Sequence, residues 1–120
     1  MGKPMNLDEI IQKATPLTEA SFYILAALSK PLHGYGVMQR VSEITGNRVQ
    51  LGPGTLYGAI SNLQSLGLIQ SIDDAGTDRR KLYCMTSLGR QVAEYEVARL
   101  EEVSRHGQLL LDIGGKDETE

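Results

Sequence analysis

The spacing of apolar and polar positions predicts a mostly helical chain. Residues 22–28 are all apolar and follow Thr18, a typical N-cap, so a helix is expected at residues 19–29, ended by Lys30-Pro31. This helix has no polar side, and it must therefore be covered on nearly all sides. A turn is expected at residues 33–36 and a second helix at residues 35–45, which carries Val37, Val41 and Ile44 at helical spacing. Residues 49–51 suit a very short strand.

A third helix is predicted at residues 53–66. Pro53 belongs in a first helical turn, where the amide hydrogen that it lacks would have no partner. Gly67 then provides the stop. One side of this helix is apolar, with Leu56, Ala59, Ile60, Leu63 and Leu66. The opposite side is almost bare of bulk, with Gly54, Gly58, Ser61 and Ser65 flanked by Tyr57 and Asn62.

A hairpin follows this helix. Strands are predicted at residues 68–72 and 81–85, around a polar turn at residues 74–78 that leads directly into Arg79, Arg80 and Lys81. The order helix, helix, small-sided helix, basic hairpin indicates a winged helix-turn-helix. The fold class predicted is therefore mostly α with a small β-hairpin, a winged helix-turn-helix with a long C-terminal dimerisation helix.

That last helix is predicted at residues 88–111, with Ser87 as its cap. At 1.5 Å per residue it would be roughly 36 Å long, about the diameter of a domain of this size, so part of it must extend beyond its own domain. Leu88, Val92 and Tyr95 are expected to face the domain. A second set follows 4-3-4-3-4 spacing, as in a coiled-coil seam: Ala93, Val97, Leu100, Ser104, Gly107 and Leu111.

These patterns predict a homodimer. The seam needs a second chain, and Phe22 in the apolar helix and the stripe Leu7, Ile10 and Ile11 add surface to bury. Both stripes could instead wrap one monomer core. Three regions result: residues 1–86 as the DNA-binding region, residues 87–112 as the dimerisation helix, and residues 113–120 as a flexible acidic tail.

Composition agrees with one soluble domain. The chain has 120 residues, 41% of them hydrophobic, and no apolar run long enough to span a membrane. There is no signal-peptide pattern, and the single Cys84 cannot form an internal disulfide, so a cytoplasmic location is expected. The net charge of −3 argues against a nucleic-acid binder, but residues 30–83 carry a local excess of two positive charges and residues 84–120 an excess of four negative ones.

Double-stranded DNA is the partner that the bare helix side and the basic hairpin favour. A small-sided helix lets its backbone approach a large object, and its positive N-terminal end favours a phosphate. Base reading would depend on polar side chains, and the arginines would contact phosphates or the minor groove. The expected DNA contacts are Tyr35, Gly54, Thr55, Tyr57, Gly58, Ser61, Asn62, Arg79, Arg80 and Lys81.

The same chain offers patterns that are typical of other functions. Gly52, Gly54 and Gly58 form part of a dinucleotide-binding fingerprint, but the repeated βαβ units that it requires are missing. His33, Cys84 and His106 lack the spacing of a zinc site, and Cys84 is interpreted as a strand residue, with redox sensing as the alternative. No enzyme, cofactor or metal is expected. A winged helix that binds protein instead of DNA stays open.

Four blocks resemble the PadR family of bacterial transcriptional regulators: "LTEASFYILAAL", "HGYGVMQRV", "LGPGTLYGAISNLQSLGLI" and "DRRKLYCMTSLGR". The resemblance extends from about Leu17 to Leu100 and suits the compact branch of the family. It implies a homodimeric repressor whose C-terminal helix packs on the partner's N-terminal region. Two-fold symmetry would place two recognition helices roughly 34 Å apart, so an inverted-repeat operator is expected.

The chain departs from the family in two places. Many members carry Arg or Lys on the recognition helix, where this sequence has Gly58, Ser61 and Asn62, which predicts weaker phosphate attraction there. Some compact members bind flat aromatic drugs between subunits, in a pore lined by aromatic residues. This chain has no Trp, so a small aromatic or apolar effector is a hypothesis with Tyr23 and Tyr95 as its candidate contacts.

Overall fold

The computed structural model describes residues 5–72 and 81–114. In these ranges the helices are α1 (Leu7–Ala14), α2 (Glu19–Ala27), α3 (Gly34–Ile44), α4 (Pro53–Ser65) and α5 (Ser87–Leu111), and the strands are β1 (Leu32–His33), β2 (Ile69–Ile72) and β3 (Leu82–Met85). The mostly helical fold with a small sheet and a long last helix is thus confirmed. The turn at residues 74–78, Arg79, Arg80 and residues 115–120 of the tail lie outside the described residues.

The helix starts follow local capping chemistry. Thr18 accepts a hydrogen bond from the amide of Ser21, as its N-cap role predicts, and Pro53 occupies the first turn of α4. The predicted cap of α5 was wrong by one residue, because Thr86 is the N-cap and accepts from the amide of Gly89, while Ser87 is already helical.

The sheet contains a strand, β1, that the sequence does not predict. Its order is β1-β3-β2, with both pairs antiparallel and Leu32 opposite Tyr83. The expected turn at residues 33–36 was therefore wrong, since His33 is in a strand and α3 already begins at Gly34. The strand expected at residues 49–51 was also wrong: the amide of Val49 donates to the hydroxyl of Thr45 instead of pairing with another strand.

The core lies between α2 and the elements around it, since α2 packs against α3, α4 and α5. Its fully buried apolar side chains come from these helices, from the C-cap of α2 and from the residue directly before β2: Ile24, Leu25, Leu28, Val37, Leu56, Leu63, Leu68 and Val92. Phe22, Tyr23, Ala26 and Ala27 of α2 stay partly exposed, so this apolar helix is not covered on all sides by its own chain.

The beginning of α5 is packed closely onto the domain. Gly89 approaches the backbone carbonyl of Leu68 so closely that a Cβ on residue 89 would overlap it. Val92 is fully buried, but Tyr95, expected to face the domain, is 43% exposed. The inward position is taken instead by Glu96, which is fully buried. Among the described residues, none of the helices has the length and apolar character needed to cross a membrane.

Candidate nucleic-acid interface

The helix pair α3 and α4 is held by one buried side of each helix. Val37 and Val41 of α3 and Leu56, Ile60 and Leu63 of α4 are buried in the core. This orientation leaves the other side of α4 in solvent. We call that side the bare face of α4; its members, all exposed, are Gly54, Thr55, Gly58, Ser61 and Asn62.

The two helices of this pair differ from the rest in their N-terminal ends. α1, α2 and α5 each have a side chain that accepts from their first-turn amides, provided by Asn6, Thr18 and Thr86. By contrast, neither His33 at α3 nor Gly52 at α4 makes a side-chain cap hydrogen bond. First-turn amides carry the positive end of the helix dipole, so two such ends stay without a side-chain cap in α3 and α4.

The glycines of the bare face have no packing reason to be glycine. A Cβ added at Gly54 or Gly58 would meet no atom within 4 Å, and neither residue has a positive φ. In an exposed helix interior, glycine is about 1 kcal/mol less favourable than alanine. The absence of bulk on this face is therefore not explained by the chain's own fold.

Tyrosines surround the beginning of α3. Tyr35 is 62% exposed and Tyr57 48% exposed. The hydroxyl of Tyr57 lies directly against Gly34, where a Cβ would overlap it. Tyr57 thus connects α4 to the first residue of α3 and fixes how the two helices meet.

The wing begins and ends beside the helix pair. Lys81 is exposed, and its backbone carbonyl lies 3.0 Å from Nδ1 of His33, which ties the end of the hairpin to the N-cap residue of α3. Arg79 and Arg80 are outside the described residues, so their contacts with DNA stay a prediction.

Arg48, between α3 and α4, forms an ion pair with Glu19 at 2.6 Å, and this pairing raises the pKa of Arg48.

The predicted seam on α5 is mostly exposed in the single chain. Val97 is 45% exposed, Leu100 42% and Leu111 70%, and Ser104 is also exposed. Ala93 differs, because it is only 8% exposed and belongs to the chain's own core. Three further apolar residues of α5 outside the predicted seam are also exposed, Val103 at 50%, Leu109 at 72% and Leu110 at 86%; the run of leucines at residues 109–111 is the sequence signal for two of them.

The two candidate effector contacts do not share a cavity within one chain. Tyr23 lines a cavity of about 600 Å³ between α2 and α3, together with Phe22, Arg40 and Ile44. Tyr95 lines a separate depression on α5 beside Arg99 and Arg105. Phe22 also borders a smaller groove of about 220 Å³ that reaches Val97 on α5.

Sequence reasoning missed the ion pair inside α5. Glu96 accepts hydrogen bonds from Arg99 at 2.6 Å and from the amide of Leu17 at 2.8 Å. Its position resembles any other polar position in a helix, so only the tertiary structure reveals it. Within the described ranges, no three His, Cys, Asp or Glu side chains are grouped so that they could hold a metal ion.

Solved structures share this architecture. A PadR family transcriptional regulator from Eggerthella lenta is 23% identical with a TM-score of 0.69, and the match covers 90% of each chain. PadR of Bacillus subtilis, solved in complex with operator DNA, is 22% identical with a TM-score of 0.57; the match covers 68% of this chain and 48% of that one.

Sequence comparison names the family. An uncharacterized 37.1 kDa protein in transposon TN4556 of Streptomyces fradiae is 34% identical over 87 residues, which are 72% of this chain but 24% of that protein. The chain thus matches about a quarter of that relative's length. The model of the transcriptional regulator PadR-like family matches residues 24–95, which include α3, α4, both wing strands and the beginning of α5. The chain belongs to the PadR-like family of transcriptional regulators.

Proposed function

We propose that this chain is a homodimeric repressor that binds an inverted-repeat DNA operator in the cytoplasm. In this proposal α4 enters the major groove, the wing contacts the adjacent phosphates, and α5 pairs the two subunits. The observation that carries the proposal is the bare face of α4, which presents open glycines beside a helix N-terminus without a side-chain cap.

A DNA backbone matches both features of this face. Glycines at residues 54 and 58 let the helix axis come close to the groove floor, and the first-turn amides favour an anionic phosphate. The polar side chains of Thr55, Ser61 and Asn62 are exposed on the same face and can donate to or accept from base edges. Sequence reading by this helix then depends on short neutral groups, while Lys81 and the arginines before it supply the charge.

The exposed seam supports the dimer. The part of α5 that extends beyond the domain carries a long exposed apolar surface. Its members are Val97, Leu100, Val103, Leu109, Leu110 and Leu111. Burial of such a surface against a second copy is favourable at about 25 cal/mol per Å² of apolar area. An effector would bind in the cavity at Tyr23 and Phe22, beside the groove between Phe22 and Val97 that a second copy would close.

The decisive experiment compares two variants of equal added charge. Gly58→Glu places bulk and a negative charge on the bare face, whereas Gln91→Glu adds the same charge at an exposed position of α5. A duplex selected by the wild-type chain from a randomised pool serves as probe in fluorescence anisotropy. We expect Gly58→Glu to abolish binding and Gln91→Glu to retain it, with both variants folded by circular dichroism.

Retained binding by a folded Gly58→Glu variant would show that the wrong face has been assigned. A wild-type chain that selects no duplex from the pool would instead favour the alternative of a protein-interaction module.

A further inference from the structure

Arg48 connects the segment before α4 to α2. It lies between the end of α3 at Ile44 and the start of α4 at Pro53. Its guanidinium donates to the carboxylate of Glu19 at 2.6 Å and to the hydroxyl of Tyr23 at 3.4 Å. Glu19 and Tyr23 are one helical turn apart on α2, so both acceptors lie on the same side of that helix. Among the described residues, Arg48 makes all the hydrogen bonds between this segment and α2.

The backbone of the same segment makes its hydrogen bonds locally. The amide of Arg48 donates to the carbonyl of Thr45 at 3.1 Å, and the amide of Val49 donates to the Thr45 hydroxyl at 3.1 Å. By contrast, the side chains of the Arg48–Glu19 ion pair are 60% and 59% exposed. Exposed pairs contribute little to stability, so the contacts of Arg48 with α2 can open while the fold stays intact.

Tyr23 is also part of the cavity of about 600 Å³ between α2 and α3. Phe22 packs edge-to-face on its ring, with the two ring centroids 6.0 Å apart. The lining is mostly apolar, and its charged members, Lys30 and Arg40, are both cations. These walls suit a flat apolar molecule that carries a negative charge. Because the hydroxyl is fixed to the ring, a ligand that displaces the ring also displaces the acceptor of Arg48.

We propose that Tyr23 and Arg48 couple this cavity to α4. A ligand in the cavity moves the ring of Tyr23, the hydroxyl leaves Arg48, and the segment that leads into α4 changes its position relative to α2. The responsive cavity then lies within one subunit and not between two. Both side chains are positioning residues, since neither touches the duplex in this proposal. The inference depends on the proposed function, because the reaction that it regulates is operator binding.

Two fluorescent probes of similar shape locate the site. Anilinonaphthalene sulfonate is an aromatic anion, and phenylnaphthylamine is its neutral counterpart without the sulfonate. Arg40→Gln should weaken binding of the anion about threefold and leave binding of the neutral probe unchanged, because only the sulfonate interacts with a cation. Unchanged binding of the anion, or an equal loss for both probes, would show that the anion binds outside this cavity, and the inference would fail.

The coupling is the change in duplex affinity that a saturating concentration of the anionic probe causes. The duplex is the one selected by the wild-type chain, labelled with a red fluorophore for anisotropy. Coupling between two sites commonly amounts to about 5–150-fold, and contacts this exposed should give the low end, about fivefold weaker binding. Tyr23→Phe and Arg48→Gln should each reduce the effect to below about twofold. Tyr95→Phe loses the same hydroxyl group on α5 and should keep the full effect.

Hydrogen exchange gives a readout that needs no DNA. In the wild-type chain the probe should speed up exchange of the Arg48 and Val49 amides, because they lie in the segment that moves. In Tyr23→Phe the probe should leave their exchange unchanged, since the displaced ring no longer carries the acceptor of Arg48. The salt slope of duplex binding should stay unchanged in Arg48→Gln, because a positioning residue releases no counterion from DNA.

Several results would overturn the inference. A wild-type duplex affinity that the cavity-bound probe does not change would do so, as would a full effect of the probe in Tyr23→Phe. A salt slope lowered by about 0.9 in Arg48→Gln would make Arg48 a phosphate contact instead. If the wild-type chain selects no duplex, the proposed function fails; if it selects one and the probe acts equally on all variants, only this inference fails.

Discussion

The carboxylate of Glu96 accepts a hydrogen bond from the backbone amide of Leu17 at 2.8 Å, and so joins the middle of α5 to the segment before α2. Arg99 completes the site with donors at 2.6 and 3.1 Å. The side chain of Glu96 is only 1% exposed, whereas that of Arg99 is 27% exposed. Loss of the buried Glu96 carboxylate is therefore expected to destabilise the fold.

We predict that Glu96→Ala lowers the free energy of unfolding by about 3 kcal/mol, because the Leu17 amide and Arg99 would lose a buried acceptor. Urea unfolding at pH 7 measures the change. The control is Glu94→Ala, which breaks the exposed pair with Arg90 and should cost at most about 0.5 kcal/mol. Equal effects of the two variants would contradict the prediction.

The same group predicts a pH dependence. Burial by itself raises the pKa of Glu96, but Arg99 and the Leu17 amide lower it below its ordinary value of 4.5. Since the folded-state pKa is the lower one, the stabilisation is complete above that ordinary value and is lost as the pH falls through the folded-state pKa. Acid unfolding of Glu96→Gln should therefore depend less on pH below about 4.5 than that of wild type.

We predict opposite signs for two glycine-to-alanine changes. Gly58→Ala should raise the free energy of unfolding by about 1 kcal/mol, because the added methyl meets open space and alanine favours the helix. Gly89→Ala should lower it by about 2 kcal/mol, since its methyl would overlap the carbonyl of Leu68. Urea unfolding measures both. Stabilisation of Gly58→Ala with weaker duplex binding would be the signature of a face kept small for a partner.

Disruption of the seam should separate the subunits. Leu100→Glu places a charge at a 42% exposed apolar position of the seam, whereas Ala98→Glu places it at an exposed position on another side of α5. We expect sedimentation velocity at micromolar concentration to show a monomer for Leu100→Glu and a dimer for Ala98→Glu and wild type. A wild-type monomer at that concentration would refute the dimer.

The wing should act through charge. Alanine at Arg79, Arg80 or Lys81 removes one cation each, and each change should reduce the salt slope of duplex binding by about 0.9 if that cation contacts a phosphate. Lys13→Ala, at an exposed position of α1, is the matched control and should leave the slope unchanged. Unaltered slopes in all three wing variants would remove the wing from the interface.

The sequence predicted those parts of the fold that have local signals. Thr18 and Pro53 marked their helix starts correctly, because capping and proline geometry depend on near neighbours alone. β1 escaped detection because two residues have no periodicity, and their pairing with β3 crosses about 50 positions of sequence. Residues 49–51 show the reverse error, an apolar segment that lacks a partner strand.

In the candidate site, too, only the features with a local signal could be predicted from the sequence. The bare face of α4 follows from helical spacing and was visible in the sequence. The contacts of Gly34 with Tyr57 and of Glu96 with Leu17 join distant segments, which no local pattern records. Tyr95 and Glu96 show how sensitive such spacing is, since one residue along α5 separates an exposed side chain from a fully buried one.

The close approach of Gly89 to the Leu68 carbonyl has a mechanical result. It lies at the beginning of α5, and Thr86 reinforces it by donating to the carbonyl of Gly67 at 2.7 Å. Because its beginning is held so closely, α5 is attached to the domain as a rigid helix about 36 Å long. In a dimer joined along the two α5 helices, a tilt of about 5° between these helices would move a point about 36 Å away by about 3 Å. That distance is roughly the step between neighbouring base pairs, so a small tilt would change how the two recognition helices fit one duplex.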